Sequence, residues 1–258
     1  MVRLKRLHGL SRTVVAQEVE LAPGAFATRH FALWLPEPRV IAISDLHLGY
    51  EGALAEQGVG VPRIQRRVIL ERLERIVEAY HPAKVVVCGD FKHEFSKALV
   101  DEWVEVKQVL RFLRGRAEPV LVRGNHDNYL LNILSDLGMK LVDRYDLSGY
   151  TFVHGHEDVS TLGTIVMGHE HPAVKLRDEL GATVSVPAFV AGDRLIVLPA
   201  FSPLALGVDV AAYPYLSPIL NRVDVEDARV VGIDEGEGLL DFGRVGGLKE
   251  ANASLLLR

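Results

Sequence analysis

Six short runs of apolar, mostly β-branched residues recur along the chain, and they lack the polar alternation of a strand with one solvated face. They lie at 39–44, 84–88, 119–123, 150–153, 164–167 and 194–198. Such runs are typical of strands that are buried on both faces. The pattern therefore predicts a sheet at the centre of the fold.

Helical periodicity separates the early runs, with apolar residues every three or four positions over 62–80, 96–113 and 128–137. Pro62 suits a first helical turn, Ser96 an N-cap, and Gly138 a helix stop. Alternating strands and helices favour an α/β fold. Beyond Tyr150 strands predominate, which predicts a second sheet packed on the first.

The ends of the chain show less pattern. The first 38 residues suggest one extra strand and a turn, and 220–258 suggest two edge strands followed by a tail. Because no repeat, low-complexity tract or Gly/Ser linker interrupts residues 1–258, a single domain is expected.

Composition narrows the class of protein. The chain has 258 residues, is 48% hydrophobic and carries a net charge of −5, without an apolar run of membrane-spanning length or an apolar secretory segment. Its one cysteine, Cys88, excludes an intramolecular disulfide and suits the cytoplasm. A negative net charge argues against nucleic-acid binding through bulk positive charge. It does not exclude an anionic substrate, because bound divalent metal ions would dominate the local field.

Polar side chains follow five of the apolar runs at the points where the strands should end. They are Asp45 with His47, Asp90, Asn125 with His126 and Asp127, His154, and His169 with His171. Because the carboxyl ends of strands line the ligand crevice of α/β sheets, these groups should converge. Taken singly, each fits a turn residue, a helix cap or a half-exposed histidine. Taken jointly and in this order, they favour a metal site.

The chain resembles the calcineurin-like metallophosphoesterases, and within them archaeal phosphoesterases related to SbcD-type DNA repair nucleases. The resemblance is carried by "SDLHLG" (44–49), "CGD" (88–90), "RGNHDN" (123–128), "VHGH" (153–156) and "GHEHP" (168–172), and "LPAFSPLALG" extends it to a core of about 39–207. It implies an α/β (α+β) four-layer fold, in which a two-sheet β-sandwich is flanked by helices.

The resemblance also implies two divalent metal ions, with Mn²⁺ as first choice and Fe or Zn²⁺ as alternatives. One ion would be held by Asp45, His47 and His171, the other by Asn125, His154 and His169, and Asp90 would bridge both. His126 would be the catalytic histidine, and Asp127 would orient it by a hydrogen bond. A metal-bridging hydroxide would attack phosphorus.

Three further residues are candidates for substrate binding: His93, Arg123 and His156. Many family members carry an Asp at the position of His93. A histidine there resembles the SbcD-type variant, in which it serves the nuclease site; the alternative is a surface loop histidine. Arg123 and also Lys92 lie beside motif turns and could meet a phosphate. His156 is expected in the pocket wall, outside the ligand set.

The expected activity is hydrolysis of phosphodiesters in nucleic acid or nucleotides. The alternatives are a phosphomonoesterase acting on nucleotides or phosphoprotein, and a non-catalytic metal-binding scaffold subunit. The scaffold should lack a ligand or the catalytic histidine, whereas this chain has the complete set. The SbcD-type nucleases add a DNA-capping domain, but only 87 residues follow His171 (258 − 171 = 87), and the sheet needs part of them. Duplex-DNA recognition of that kind is therefore not expected. No membrane partner is expected, and the oligomeric state is left open.

Overall fold

The chain forms two β-sheets in the computed structural model, which describes residues 13–94, 100–177 and 183–256. In chain order the strands are β1 (Thr13–Ala16), β2 (Glu18–Ala22), β3 (Ala25–Thr28), β4 (Leu33–Leu35), β5 (Val40–Ile43), β6 (Lys84–Cys88), β7 (Glu118–Val122), β8 (Leu141–Val142), β9 (Tyr145–Leu147), β10 (Tyr150–Phe152), β11 (Thr164–Met167), β12 (Pro172–Arg177), β13 (Thr183–Gly192), β14 (Leu195–Val197), β15 (Val208–Asp209), β16 (Arg229–Asp234) and β17 (Gly238–Arg244). The helices are α1 (Tyr50–Glu56), α2 (Gln65–Tyr80), α3 (Val100–Arg114), α4 (Leu130–Leu137), α5 (Pro218–Arg222) and α6 (Val245–Leu256).

The first sheet has the order β2-β3-β4-β5-β6-β7-β8. Its strands β5, β6, β7 and β8 run parallel, so their carboxyl ends meet at one edge. All four residues of β5 are buried, as expected for a strand covered on both faces.

The second sheet has the path β1-β17-β16-β13-β14-β11-β10-β9, and β12 and β15 pair beside it. Strand β11 runs parallel to both β10 and β14, so the carboxyl ends of β10 and β11 are neighbours. Each sheet thus contains a group of parallel strands, and the loops at the carboxyl ends of the two groups lie next to each other.

One hydrophobic cluster joins the inner faces of the two sheets, and it includes Ile43 from the first sheet and Phe152 and Phe189 from the second. Ile69 of α2 and Val106 of α3 pack into the same cluster and cover the outside of the first sheet. A second cluster lies between the other sheet and the helices α5 and α6. The layers are helix, sheet, sheet and helix, which confirms the predicted two-sheet α/β sandwich.

The six predicted strands are confirmed as β5, β6, β7, β10, β11 and β14, and the three helices as α2, α3 and α4. Residues 95–99, with the Ser96 cap, lie outside the described residues. The strands expected at the edge near the C-terminus are interior, because β1 pairs with β17 and β13 with β16. The patternless tail forms α6, whose Val245 and Leu248 are buried. That packing stabilises a helix despite two glycines.

The described part of the N-terminal segment, from Thr13 on, contributes four strands rather than one, and three of them form consecutive antiparallel pairs beside β5. None of the helices in the described ranges has the length and apolarity needed to cross a bilayer.

Candidate metal centre

Backbone hydrogen bonds lock together the turns that follow the parallel strands. Asp45 N donates to the Gly89 carbonyl (3.1 Å), and His47 N donates to the Asp90 carbonyl (2.9 Å). In the second sheet, Gly168 N donates to the His154 carbonyl (3.0 Å). The carboxyl ends of these strands therefore converge, and the polar residues that follow them line a single site between the two sheets.

The first group of metal-ligating side chains is Asp45, His47 and His171, whose ligand atoms all lie within 4.8 Å of one another. The Nε2 atoms of His47 and His171 are 3.2 Å apart, and His171 Nε2 is 3.2 Å from Asp45 Oδ1. The backbone amide of His169 donates to both oxygens of Asp45. These contacts fix the Asp45 carboxylate against the last motif.

The second group is Asp90, His154 and His169, with Asn125 beside them. His154 Nε2 lies 3.0 Å from Asn125 Oδ1, 3.2 Å from His169 Nδ1 and 3.3 Å from Asp90 Oδ2. The other nitrogen, His154 Nδ1, donates to the Cys88 carbonyl at 3.0 Å. That bond orients the ring and leaves Nε2 for a ligand.

Asp90 lies between the two groups. Its Oδ2 is 3.3 Å from His154 Nε2 in the second group and 3.8 Å from His47 Nε2 in the first. Its Oδ1 accepts a hydrogen bond from the backbone amide of His126 (3.0 Å). This carboxylate is therefore placed where it could contact ions in both groups.

The donor set fits divalent metal ions. Two ligand atoms that are each about 2.1 Å from one ion lie roughly 3.0–3.4 Å apart, and three of the separations given above are 3.2 Å. Two unprotonated imidazole nitrogens facing each other this closely repel unless a proton or a cation lies between them. Imidazole, carboxylate and amide donors without thiolate suit Mn²⁺, Fe or Zn²⁺.

The protonation of the histidines follows from burial and from the carboxylates. Burial lowers the pKa of His47 to about 3. Burial and the neighbouring His154 lower the pKa of His169 to about 4. Burial would lower the pKa of His154 too, but its hydrogen bond to Asp90 and the charge of that residue raise it to about 9. The raised value marks strong negative potential at His154 Nε2, where a cation can replace the proton.

Five residues of the two groups have left-handed backbone conformations, which cost non-glycine residues about 1–2 kcal/mol each. They are Asp45 (φ 57°), His47 (47°), Asp90 (50°), His169 (68°) and His171 (47°). Such backbone strain clusters at functional sites, where the surrounding structure imposes it.

Glycines beside the ligands permit this close convergence. A Cβ at Gly124 would lie 2.1 Å from Asp90 Oδ1, and one at Gly168 would lie 2.5 Å from Asp45 Oδ2. Both positions therefore exclude any side chain.

The structure brings His126 to the centre but gives Asp127 another task. His126 Nδ1 donates to the His93 carbonyl, and its Nε2 lies 3.9 Å from Asp90 Oδ2. The wholly buried Asp127 carboxylate accepts from the amides of Gly124 (2.9 Å) and Phe91 (3.0 Å). Among the described contacts the His126 ring thus donates to the His93 carbonyl, and the expected hydrogen bond from that ring to the Asp127 carboxylate stays a prediction.

His93 belongs to the centre rather than to a surface loop. Its ring stacks on Tyr50 at 4.0 Å and on His126 at 5.6 Å between centroids, and it lies 5.4 Å from the His47 ring. Ligand atoms of His47, His93 and His126 all lie within 4.8 Å of one another. Burial and the neighbouring His126 lower the pKa of His93 to about 4.

His156 and Arg123 lie at the periphery. The ring of His156 is 5.2 Å from that of His154, yet it joins none of the ligand groups in the described part of the chain. Burial and His154 lower its pKa. Arg123 Nε lies 3.2 Å from Asp143 Oδ1, in an ion pair exposed to solvent.

Sequence reasoning missed the polar residues that hold the loops of the centre from behind. Gln65 Nε2 donates to the His47 carbonyl at 2.8 Å, and Glu102 Oε1 accepts from the amides of His93 (3.2 Å) and Glu94 (2.8 Å). Glu102 also faces the wholly buried Lys92 at 3.8 Å, which removes Lys92 as a phosphate contact. The sequence did carry a signal for both residues. Gln65 lies four positions before Ile69 and Glu102 four positions before Val106, so each is a polar residue on the apolar stripe of its helix.

Comparisons with known proteins give a family match and similar solved structures. The profile of the family described as calcineurin-like phosphoesterase matches residues 38–225. Among solved structures, Pseudomonas putida nuclease MPE has a TM-score of 0.64 at 21% identity, over 88% of this chain and 98% of that chain. The phosphoesterase Yfce from E. coli has a TM-score of 0.37 at 16% identity, over 81% of this chain and 94% of that chain.

A search of curated proteins gives no match. The family match extends over more than half of the chain, and the candidate ligand groups lie within it. The chain therefore belongs to the calcineurin-like phosphoesterase family and is a metal-dependent hydrolase of phosphoester bonds.

Proposed function

We propose that this protein hydrolyses phosphodiesters of nucleic acid or nucleotides with two divalent ions, Mn²⁺ being the first choice. The observation that carries the proposal is the pair of ligand groups that share Asp90, with His93 and His126 against them. The single cysteine, the buried Cys88, suits a cytoplasmic location.

In this proposal Asp45, His47 and His171 hold one ion, and Asn125, His154 and His169 hold the other. Asp90 serves both, because its Oδ2 lies between the groups. When bound, such ions supply Lewis-acid stabilisation of the phosphoryl oxygens and an activated water as nucleophile. The protein contributes the fixed geometry, through the turn hydrogen bonds and the Cys88 carbonyl on His154.

His126 is suited to the leaving group. Because its Nδ1 donates to the His93 carbonyl, the ring is oriented and Nε2 remains directed toward the centre. A histidine at this place can protonate the departing oxygen as general acid, a contribution of about 10²–10⁴ in rate.

The surroundings favour a diester over a monoester. A monoester is a dianion near neutral pH and is best recognised by free cationic side chains, whereas a diester is a monoanion with a second ester group. Of the two basic residues beside the motif turns, Lys92 is wholly buried against Glu102, and Arg123 lies at the periphery beside Asp143. The stacked rings of His93 and Tyr50 offer an aromatic wall instead.

The test is a Mn²⁺-supplemented activity panel. It sets bis-p-nitrophenyl phosphate and single-stranded DNA against p-nitrophenyl phosphate and nucleoside monophosphates. We expect a higher kcat/KM for the diesters. Higher values for the monoesters would establish the phosphomonoesterase alternative and refute the diester proposal.

The same panel tests the ligand assignment. Asp90→Ala should abolish metal retention and turnover on every substrate, because both groups lose their common carboxylate. Asp193→Ala is the matched control: it removes an exposed carboxylate from the turn before β14, at the opposite end of the strands. Full Mn²⁺-dependent turnover in Asp90→Ala would overturn the assignment.

A further inference from the structure

A hollow of about 140 Å³ lies apart from the metal centre, between α2 and two hairpin turns. It is lined by Arg29, His30, Phe31, Arg72, Arg75 and Glu235. Along α2, Arg72 is seven residues beyond Gln65, which contacts His47, and seven residues of helix span roughly 10 Å. None of the proposed metal ligands lines this hollow.

Arg72 is fixed at the wall of the hollow. Its side chain is only 7% exposed; Nη1 donates to the Phe201 carbonyl at 2.6 Å and Nη2 to Glu235 Oε1 at 2.5 Å. The guanidinium lies 3.9 Å above the centre of the Phe31 ring. The buried Nε has no hydrogen-bond partner among the described residues. A guanidinium held this rigidly is preorganised for an oxyanion.

The other charges of the hollow are mostly positive. Arg29 uses one nitrogen on Gln17 Oε1 (2.9 Å) and another on the Glu235 carbonyl. Arg75 has no ion-pair or hydrogen-bond partner in the described part of the chain. Glu235 is the one carboxylate in the lining, so three guanidiniums face a single acid, in a chain whose net charge is −5.

The neighbouring histidine reports the same positive potential. Burial, followed by the charges of Arg29 and Arg75, lowers the pKa of His30, although Glu235 and Glu18 oppose this shift. Of the three arginines only Arg72 is buried, and Arg29 and Arg75 stand beside it at the more open side of the recess, where an anion can reach all three.

We propose that this hollow binds a phosphate-type oxyanion, either free inorganic phosphate or a phosphate group of a nucleotide or nucleic acid. Guanidinium groups bind phosphate oxygens by paired, charge-assisted hydrogen bonds. The volume exceeds that of several waters, at about 30 Å³ each, so a tetrahedral anion fits with part of its hydration. This inference does not depend on the substrate proposed for the metal centre.

The test is calorimetric titration of inorganic phosphate into metal-loaded protein freed of excess ion. Because phosphate can also bind the metal centre, the titration is repeated in Asp90→Ala, where only the hollow should bind it. In both backgrounds Arg75→Ala should weaken binding at the hollow at least tenfold. The control Arg67→Ala removes an exposed arginine of the same helix that pairs with Glu71, and it should change the affinity less than twofold.

A competing single-stranded oligonucleotide distinguishes the two sources of phosphate. Displacement of phosphate from Asp90→Ala by the oligonucleotide supports a nucleic-acid phosphate, and its failure supports the free anion. Absence of binding in Asp90→Ala with native unfolding behaviour, or equal affinities in Arg75→Ala and Arg67→Ala, would overturn the proposal. Arg75 is exposed, so its substitution leaves the packing of α2 intact.

Discussion

Gly124→Ala perturbs the centre through a single methyl group. The added Cβ would lie 2.1 Å from Asp90 Oδ1 and 2.3 Å from Asp90 N, whereas ordinary contact begins at 3.4 Å. The carboxylate must therefore move by 3.4 − 2.1 = 1.3 Å. Misplacement of a reacting constellation by about 1 Å costs roughly 10²-fold in rate, or about 2.7 kcal/mol. We expect kcat/KM to fall by about that factor, and metal content to fall with it.

The assay measures Mn²⁺ content by mass spectrometry and kcat/KM on bis-p-nitrophenyl phosphate, at equal concentrations of folded protein. Thermal unfolding corrects for overpacking, which costs about 1–3 kcal/mol. Gly115→Ala is the control, because its Cβ would meet only ordinary contacts at 3.6 Å. Wild-type turnover and metal content in Gly124→Ala would refute the placement of Asp90 at the shared position.

His126→Ala should retain both metal ions but lose about 10²–10⁴ in kcat, so an unchanged kcat would remove this histidine from the chemistry. His156→Ala should leave metal content unchanged by elemental analysis, because the ring lies outside both ligand groups; a lost ion would make it a ligand. Glu102→Ala should lower the free energy of unfolding by about 3–5 kcal/mol in denaturant titrations, because it leaves the buried Lys92 charge unpaired. Glu118→Ala breaks an exposed pair and should cost at most about 1 kcal/mol; similar losses in the two variants would contradict the buried pair.

The central strands and the strand-end side chains were predictable because both follow from local pattern. Parallel strands that are buried on both faces appear in the sequence as unbroken apolar runs. Because such strands run in the same direction, their carboxyl ends meet at one edge of the sheet. Asp90 and His154 could thus be placed near each other although they lie 64 residues apart in the chain (154 − 90 = 64).

The partners of individual side chains were less predictable. Asp127 is adjacent to His126 in sequence, yet its carboxylate binds amides of Gly124 and Phe91 because the turn directs it inward. Whether Glu102 faces solvent or the core depends on how closely α3 packs against the loop of Gly49, which sequence spacing does not specify. Helix α6 likewise depends on long-range packing that outweighs its local propensity.

The left-handed backbone at five of the ligand residues bears on how this enzyme can change over time. Glycine adopts that conformation more readily than aspartate or histidine, so substitution to glycine would relax the backbone while removing the metal-ligating side chain. At these positions, therefore, the same substitutions would raise the thermal stability of the protein and abolish its activity. A relative that has lost its ligands there should unfold at a higher temperature than this protein. Only selection for turnover keeps the ligand residues in place.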